Sequence, residues 1–495
     1  MKTRISARFV VGHDGTDHVV YRDGEVVYQD DRVLFVGHDY GQPVDRDIEA
    51  GDALVGPGFI DLDALADIDH AIIDCWQPPD LARGLQWSED YFRNRRHDVF
   101  SADEEIFKRC YALVQLLLNG VTTAMPIAAE THKGWAEPYS ELAAVAEIAA
   151  ELGIRMYLGP AYRSGINVMR ADGTATVLWD EPLGEAGLRD AVRFVRDFDG
   201  AANGLIRGAL LPCRIETMTL DLMRETRRWS DELGCPVRIH AAQGPNELRL
   251  IREWHDRRPI ELLNEIGMLG PRTSIPHVLY VRERSGGESP GPDELPMLAE
   301  SGTTVIHCPM TSARHGRALE SFDRYLAAGV NLAMGTDTFP PDMIRVLDYG
   351  SNIAKIMDRQ QHAGQPADLY RAATLGGARA LGRDDLGRLA PGAEADLVVV
   401  DFSQLRGGPI EDPIRTLLFN TGGPCVRTVV VDGRTVVDNG RVVGVDDEAL
   451  RVQAQAYFEK MVDAYPERDY LQRTRAELFP TSFRTVERPS PGRAP

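Results

Sequence analysis

Several side chains able to hold a metal or move a proton stand at the ends of short apolar runs. His240 closes PVRIH, His277 closes SIPH, His307 closes TTVIH and Asp337 closes LAMGTD. GPGFIDLDAL (56–65) reads as a buried strand entered from a Gly-Pro turn, with Phe59 and Ile60 apolar and Asp61 at its end. One histidine at the end of an apolar run is more often a satisfied structural residue than a ligand. A row of four such residues, each closing the next strand in succession, points instead to a common site. Imidazole and carboxylate groups gathered in one place suit a divalent metal, or general acid–base work without one.

The elements that must position these residues follow a simple alternation. Between 57 and 385, short apolar strands alternate with amphipathic helices. SADEEIFKRCYALVQLLLNG is a helix capped by Ser101 with acidic residues in its first turn, and VTTAMPI is the strand after it. PYSELAAVAEIAAELG is a helix ending at Gly153, and the pattern continues through LDLMRETRRWSDELGC, ELLNEIGML, DELPMLAESG and ALESFDRYLAAG, each leading into a strand. Counting from GPGFID gives eight strand–helix units, the pattern of an α/β (β/α)8 TIM barrel with its active site at the C-terminal ends of the strands.

Residues 1–56 read as short β-rich runs separated by DGTD, DGE and DDR turns, a sheet too small to bury both faces alone. Residues 386–445 contain DLVVVD and RTVVVDGRTVVDNGRVVGVDD, of the same character. The simplest architecture brings these two segments together in a small β-sandwich, with the barrel of 57–385 inserted between them. Residues 446–495 read as a helical extension with a Pro- and Arg-rich tail.

Composition bounds the partners. The chain has 495 residues, 43% of them hydrophobic, and a formal charge of −20, which argues against nucleic acid or an anionic membrane. Six cysteines in so long a chain, none in a Cys-x-x-Cys pair, indicate neither a disulfide scaffold nor a zinc ribbon. The N-terminus lacks the apolar run of a signal peptide, and the most membrane-like window, 110–129, is broken by Gln115, Asn119 and Pro126. The expectation is a cytoplasmic enzyme with a small-molecule substrate. A homodimer is the commonest prior for its assembly.

GPGFID, NGVTTA (119–124), ELGCPVRIHAAQ (232–243), HCPMTSAR (307–314), GVNLAMGTDT, AATLGGARALG and APGAEADLVVVD together resemble the amidohydrolase superfamily, in its imidazolonepropionase, cytosine deaminase and chlorohydrolase branch. The resemblance implies a metal-dependent hydrolase of C–N or C–Cl bonds in a small cyclic or aromatic compound. Its cofactor would be one divalent metal per chain, zinc first, with iron or manganese as alternatives. Two departures stand out. The family's first-strand His-x-His falls on Asp63 and Leu65, and its proton-relaying Glu falls on Gln243, which can only hydrogen-bond. A coherent ligand set remains in Asp63, His240, His277 and Asp337, with Asp337 also accepting the proton of a metal-activated water. His277 and His307 would polarise the substrate or protonate the leaving nitrogen. The alternative is a metal-free member of the fold that uses its acid–base residues for another reaction or for ligand binding. ADIDH (66–70), with Asp67, Asp69 and His70, reads as a solvated loop. Trp76, Trp87, Tyr91 and Phe92 are read first as loop residues and second as substrate contacts.

Overall fold

The computed structural model describes residues 1–65, 67–68, 87–127, 133–282 and 293–486. The two ends of the chain meet in a single eight-stranded sheet. The N-terminal strands Lys2–His13, His18–Gln29, Arg32–Gly37 and Arg46–Pro57 supply one half. Leu397–Asp401, Val426–Val431, Arg434–Asp438 and Arg441–Val442 supply the other. The halves join where Leu397–Asp401 runs antiparallel to Arg46–Pro57, with Val399 opposite Val55. One face of this sheet closes over Ile5, Val10, Val26, Val55, Leu397 and Val430.

The strand Phe59–Ala64 leaves that sheet and begins the inserted unit. It pairs in parallel with Val121–Pro126, then Arg155–Leu158, then Ile206–Gly208. A second parallel run holds Val237–Arg238, Thr273–Pro276, Thr304–His307 and Asn331–Met334. A parallel bridge from Leu210 to Val237 joins the two runs on one side. On the other side, the Asp337 N–H donates to the Asp63 carbonyl at 2.8 Å. Ile60, Leu62, Met125, Tyr157, Ile306, Cys308 and Ala333 fill the space between strands. Alternate residues such as Val121, Met156, Ile275, Val305 and Leu332 face the helix layer. These strands are buried on both faces, and their apolar residues are interrupted by buried polar ones such as Asp61, Asp63, Arg155 and Arg238.

Local chemistry accounts for the punctuation. The helix Ala102–Leu118 starts in a capping box between Ser101 and Glu104, as its sequence predicts, and stops at Asn119 before Gly120, whose φ is +80°. Tyr139–Leu152 ends on Gly153 in the left-handed region. Gly58 is required by close approach, because a Cβ there would run into the Thr122 side chain on the neighbouring strand.

Arg155, 1% exposed on the third strand of the inserted unit, reaches the eight-stranded sheet. Its Nε lies 3.0 Å from Asp396, and it pairs with Glu394 at 3.4 Å and Asp432 at 3.6 Å. The helical extension is Asp447–Arg468 followed by Arg475–Leu478. It packs Met461, Val462 and Tyr465 around Phe100 and places the Arg468 guanidinium 3.9 Å over the Trp87 ring. Among the described residues, no helix is long and apolar enough to cross a membrane.

Candidate metal centre and active site

The site is assembled from the backbone outward. Buried Asp61 accepts hydrogen bonds from the Thr336 hydroxyl at 2.6 Å, the Thr336 N–H at 3.0 Å and the Asp63 N–H at 3.2 Å. It thereby ties the first strand to the last, just below the two carboxylates those strands deliver, Asp63 and Asp337. Gly335 permits the approach, because a Cβ there would lie 2.6 Å from Asp63 Cβ and 2.9 Å from Cys308 Sγ.

Three ligand-type atoms converge above this seam. The donor atoms of Asp63, His240 and His277 all lie within 4.8 Å of one another. His240 Nε2 is 3.6 Å from Asp63 Oδ1, and His277 Nε2 is 3.9 Å from Asp63 Oδ2 and 3.6 Å from Asp337 Oδ2. His240 Nδ1 lies 3.0 Å from the Cys213 carbonyl, a contact that calls for a proton on Nδ1 and turns Nε2 toward Asp63. Asp63 Oδ1 and His277 Nε2 are buried and have no hydrogen-bond partner among the described residues. Two such atoms facing one space are costly unless something satisfies them. Burial drives the His277 pKa well below the usual 6.5, so its ring is neutral, the form that ligates metals. Burial opposes ionisation of Asp63, but the charges of His240 and Arg238 outweigh it and bring its pKa to about 2. A neutral His277 imidazole, an ionised Asp63 carboxylate and two buried atoms with no hydrogen-bond partner among the described residues fit a divalent cation.

Asp337 stands at the rim of this set. Its side chain is 13% exposed, its φ is +40°, and its carbonyl accepts from the Thr311 hydroxyl. Gln243 lies on the turn after His240. Its side-chain carbonyl accepts from Arg214 Nη1, and its N–H donates to Glu247 at 2.9 Å. Arg214 and His240 are bridge partners on adjacent strands, which is why the guanidinium reaches this turn. Glu247 also accepts the Ala242 N–H, so its carboxyl group braces the backbone of the turn.

His307 does not join the cluster in the manner expected of it. Ile306 and Cys308 belong to the interior, so the side chain between them turns to the helix layer and packs 5.5 Å from the Phe322 ring. Burial there lowers its pKa to about 3. Cys308 takes the inward position, with Sγ 3.7 Å from Asp63 Oδ2. Leu65 is buried and offers no donor. Asp67 is not a solvated loop residue. It is 8% exposed and ion-paired with Lys108 Nζ at 3.2 Å. Asp69, His70 and Trp76 lie outside the described residues. Trp87 and Tyr91 are buried and stacked in a cluster with Ile166, Val168 and Leu178, and Phe92 packs against Trp87 and Trp135.

Sequence reasoning missed Arg238 and Arg214. Arg238 is 2% exposed and lies 3.3 Å from Asp63 Oδ1. The signal was present in PVRIH, where Arg238 and His240 are two residues apart and so share a strand face. A second acidic group, Asp31, Glu394 and Asp432, is also close-set, but Arg32, Arg155 and Arg383 pair with Glu394 at 3.1, 3.4 and 3.0 Å. Its charge is met by protein groups.

Residues 111–436 match the model of the amidohydrolase family. A 5-methylthioadenosine/S-adenosylhomocysteine deaminase of Natronomonas pharaonis is 28% identical over 428 residues, 84% of this chain and 89% of that protein. A 5'-deoxyadenosine deaminase of Methanopyrus kandleri is 26% identical over 383 residues, 75% of this chain and 81% of that one. Among solved structures, an adenosine deaminase from Xanthomonas campestris with bound zinc superposes with a TM-score of 0.73 at 21% identity, covering 93% of this chain and 98% of that chain. An atrazine chlorohydrolase from Arthrobacter aurescens complexed with zinc gives a TM-score of 0.73 at 21% identity, covering 92% and 99%. The fold is therefore of the TIM-barrel type with an additional domain. The chain belongs to the amidohydrolase family and is a hydrolase acting on carbon–nitrogen bonds.

Proposed function

We propose that this enzyme hydrolytically deaminates an amino-substituted nitrogen heterocycle, with adenosine-type nucleosides as the first class to test, at a zinc centre held by Asp63, His240 and His277. The observation that carries the reading is the convergence of those three donors, two of them with buried atoms that have no hydrogen-bond partner among the described residues. The deaminase names of the sequence relatives and the zinc in the solved structures support it. Bound there, the ion supplies Lewis acidity, which makes water a competent nucleophile near neutral pH.

The chain's own residues divide the remaining work. Asp337, 3.6 Å from His277, takes a proton from the attacking water. It returns that proton to the departing amine, because Gln243 has none to give and His277 is held neutral. Water adds oxygen to the ring carbon, the carbon–nitrogen bond breaks, and ammonia leaves. Gln243, its carbonyl held by Arg214, turns its amide N–H toward an acceptor on the substrate. A second reading, metal-free acid–base chemistry, draws on Arg238, which already offsets the charge of Asp63.

The test is ammonia release from a panel of adenosine-type nucleosides by wild type and Asp337→Asn, with and without chelator. Chelator-sensitive release that falls by about 10³-fold or more in Asp337→Asn is expected. Release that survives complete metal removal would favour the second reading, and no release from any of the panel would overturn the substrate class.

A further inference from the structure

We propose that Arg238 is a built-in counter-charge of the metal centre, the residue that lets a carboxylate stand where the first strand would otherwise present a neutral ligand. The inference rests on the metal reading above. Arg238 is 2% exposed, yet its guanidinium carries a charge at every accessible pH. Its Nη1 lies 3.3 Å from Asp63 Oδ1, 3.2 Å from the Met125 carbonyl and 3.4 Å from the Leu62 carbonyl. Those acceptors belong to the first and second strands, while Arg238 is on the fifth strand two residues before His240. The guanidinium therefore spans the floor of the site and is fixed by backbone groups as well as by Asp63.

Charge explains what such a group does. Two carboxylates, Asp63 and Asp337, would cancel the whole charge of a divalent ion, and a neutralised ion is a poor Lewis acid. The fixed cation beside Asp63 draws off part of that carboxylate's field and leaves the centre with a net positive charge. The same cation repels the ion, so the arrangement gives up metal affinity and keeps acidity. Arg238 acts through Asp63 and is a positioning residue.

The experiment is zinc affinity by competition with a chromophoric chelator, measured on metal-stripped wild type, Arg238→Lys and Arg238→Gln, with a thermal melt on each. Arg238→Lys keeps the charge and should bind zinc within about threefold of wild type, whereas Arg238→Gln should bind about tenfold more tightly or better. A neutral variant that binds equally or more weakly, while still folded, overturns the proposal. Where Arg238→Gln does not fold, the neutral pair Asp63→Asn/Arg238→Gln decides, since it leaves no unpaired buried charge. It should bind zinc about tenfold more tightly than Asp63→Asn alone, and equal affinity overturns the proposal. Failure of the wild type to take up zinc at all removes the metal reading, and this inference with it. Uptake with no effect of charge at position 238 removes only the inference.

Discussion

At the scale of single residues, the site turns on substitutions of charge type. A carboxylate, Asp63, occupies a position where the family resemblance implied an imidazole, and an amide, Gln243, occupies the position of an acid. The first change is accompanied by Arg238 at 3.3 Å, the second by Arg214 on the amide oxygen. Glu247, the acid nearest in sequence to Gln243, does not replace it, because both its oxygens are engaged by the backbone of the turn. Burial, and then the charge of Glu216, push the Glu247 carboxyl well above the ordinary 4.5. The folded protein thus keeps a proton that the unfolded chain releases. Stability contributed by this group is present below pH 4.5 and declines as pH rises through the folded pKa. We expect Glu247→Gln to lower Tm at acidic pH by removing an acceptor, but to show a shallower fall in Tm between about pH 5 and 8 than wild type. Parallel Tm–pH curves for the two proteins would show that Glu247 is ionised in the fold.

The residue scale also marks the limit of what could be read from the chain. His240, His277 and Asp337 were singled out because each ends an apolar run, and Asp63 because the family resemblance implies a ligand at its position. His307 met the same criterion, and its ring packs against Phe322. A strand alternates its faces residue by residue, and one step of register exchanges a site residue for a packing residue. Cys308, one position on, is the residue that faces Asp63. Arg238 was overlooked because a charge inside an apolar strand is legible only once its partner on another strand is known.

At the scale of elements, the strand–helix alternation was plain because each period is strong and each boundary has a chemical cause, such as the Ser101 capping box and the Asn119-Gly120 stop. The two chain ends were expected to meet in a β-sandwich because neither small sheet could bury its faces alone, and the structure joins their strands in one eight-stranded sheet. The ion-pair network that joins the eight-stranded sheet to the inserted unit was not, because its members are far apart in sequence. Arg155 is its hub, at 1% exposure, against Asp396, Glu394 and Asp432. Removing a buried charge leaves its partners uncompensated, which costs about 3–5 kcal/mol. Arg155→Met should therefore lower the unfolding free energy by about that amount in denaturant melts. A loss under about 1 kcal/mol would mean that Arg32 and Arg383 already balance the acidic group.

At the scale of the whole molecule, a sheet built from both chain ends carries an inserted set of parallel strands, and the last strand returns beside the first. That approach brings residue 63 to residue 337, through the Asp61–Thr336 bonds and the Asp337 N–H to Asp63 carbonyl bond. The distribution of work over distant segments makes the central claim directly testable. The measurement is zinc, iron and manganese per chain by elemental analysis of the purified wild type and of Asp63→Ala, His240→Ala, His277→Ala and Asp337→Asn. The account predicts about one ion per wild-type chain, its loss in the three alanine variants, and its substantial retention in Asp337→Asn. A wild-type protein free of metal, or an Asp63→Ala variant that keeps its ion, would contradict it.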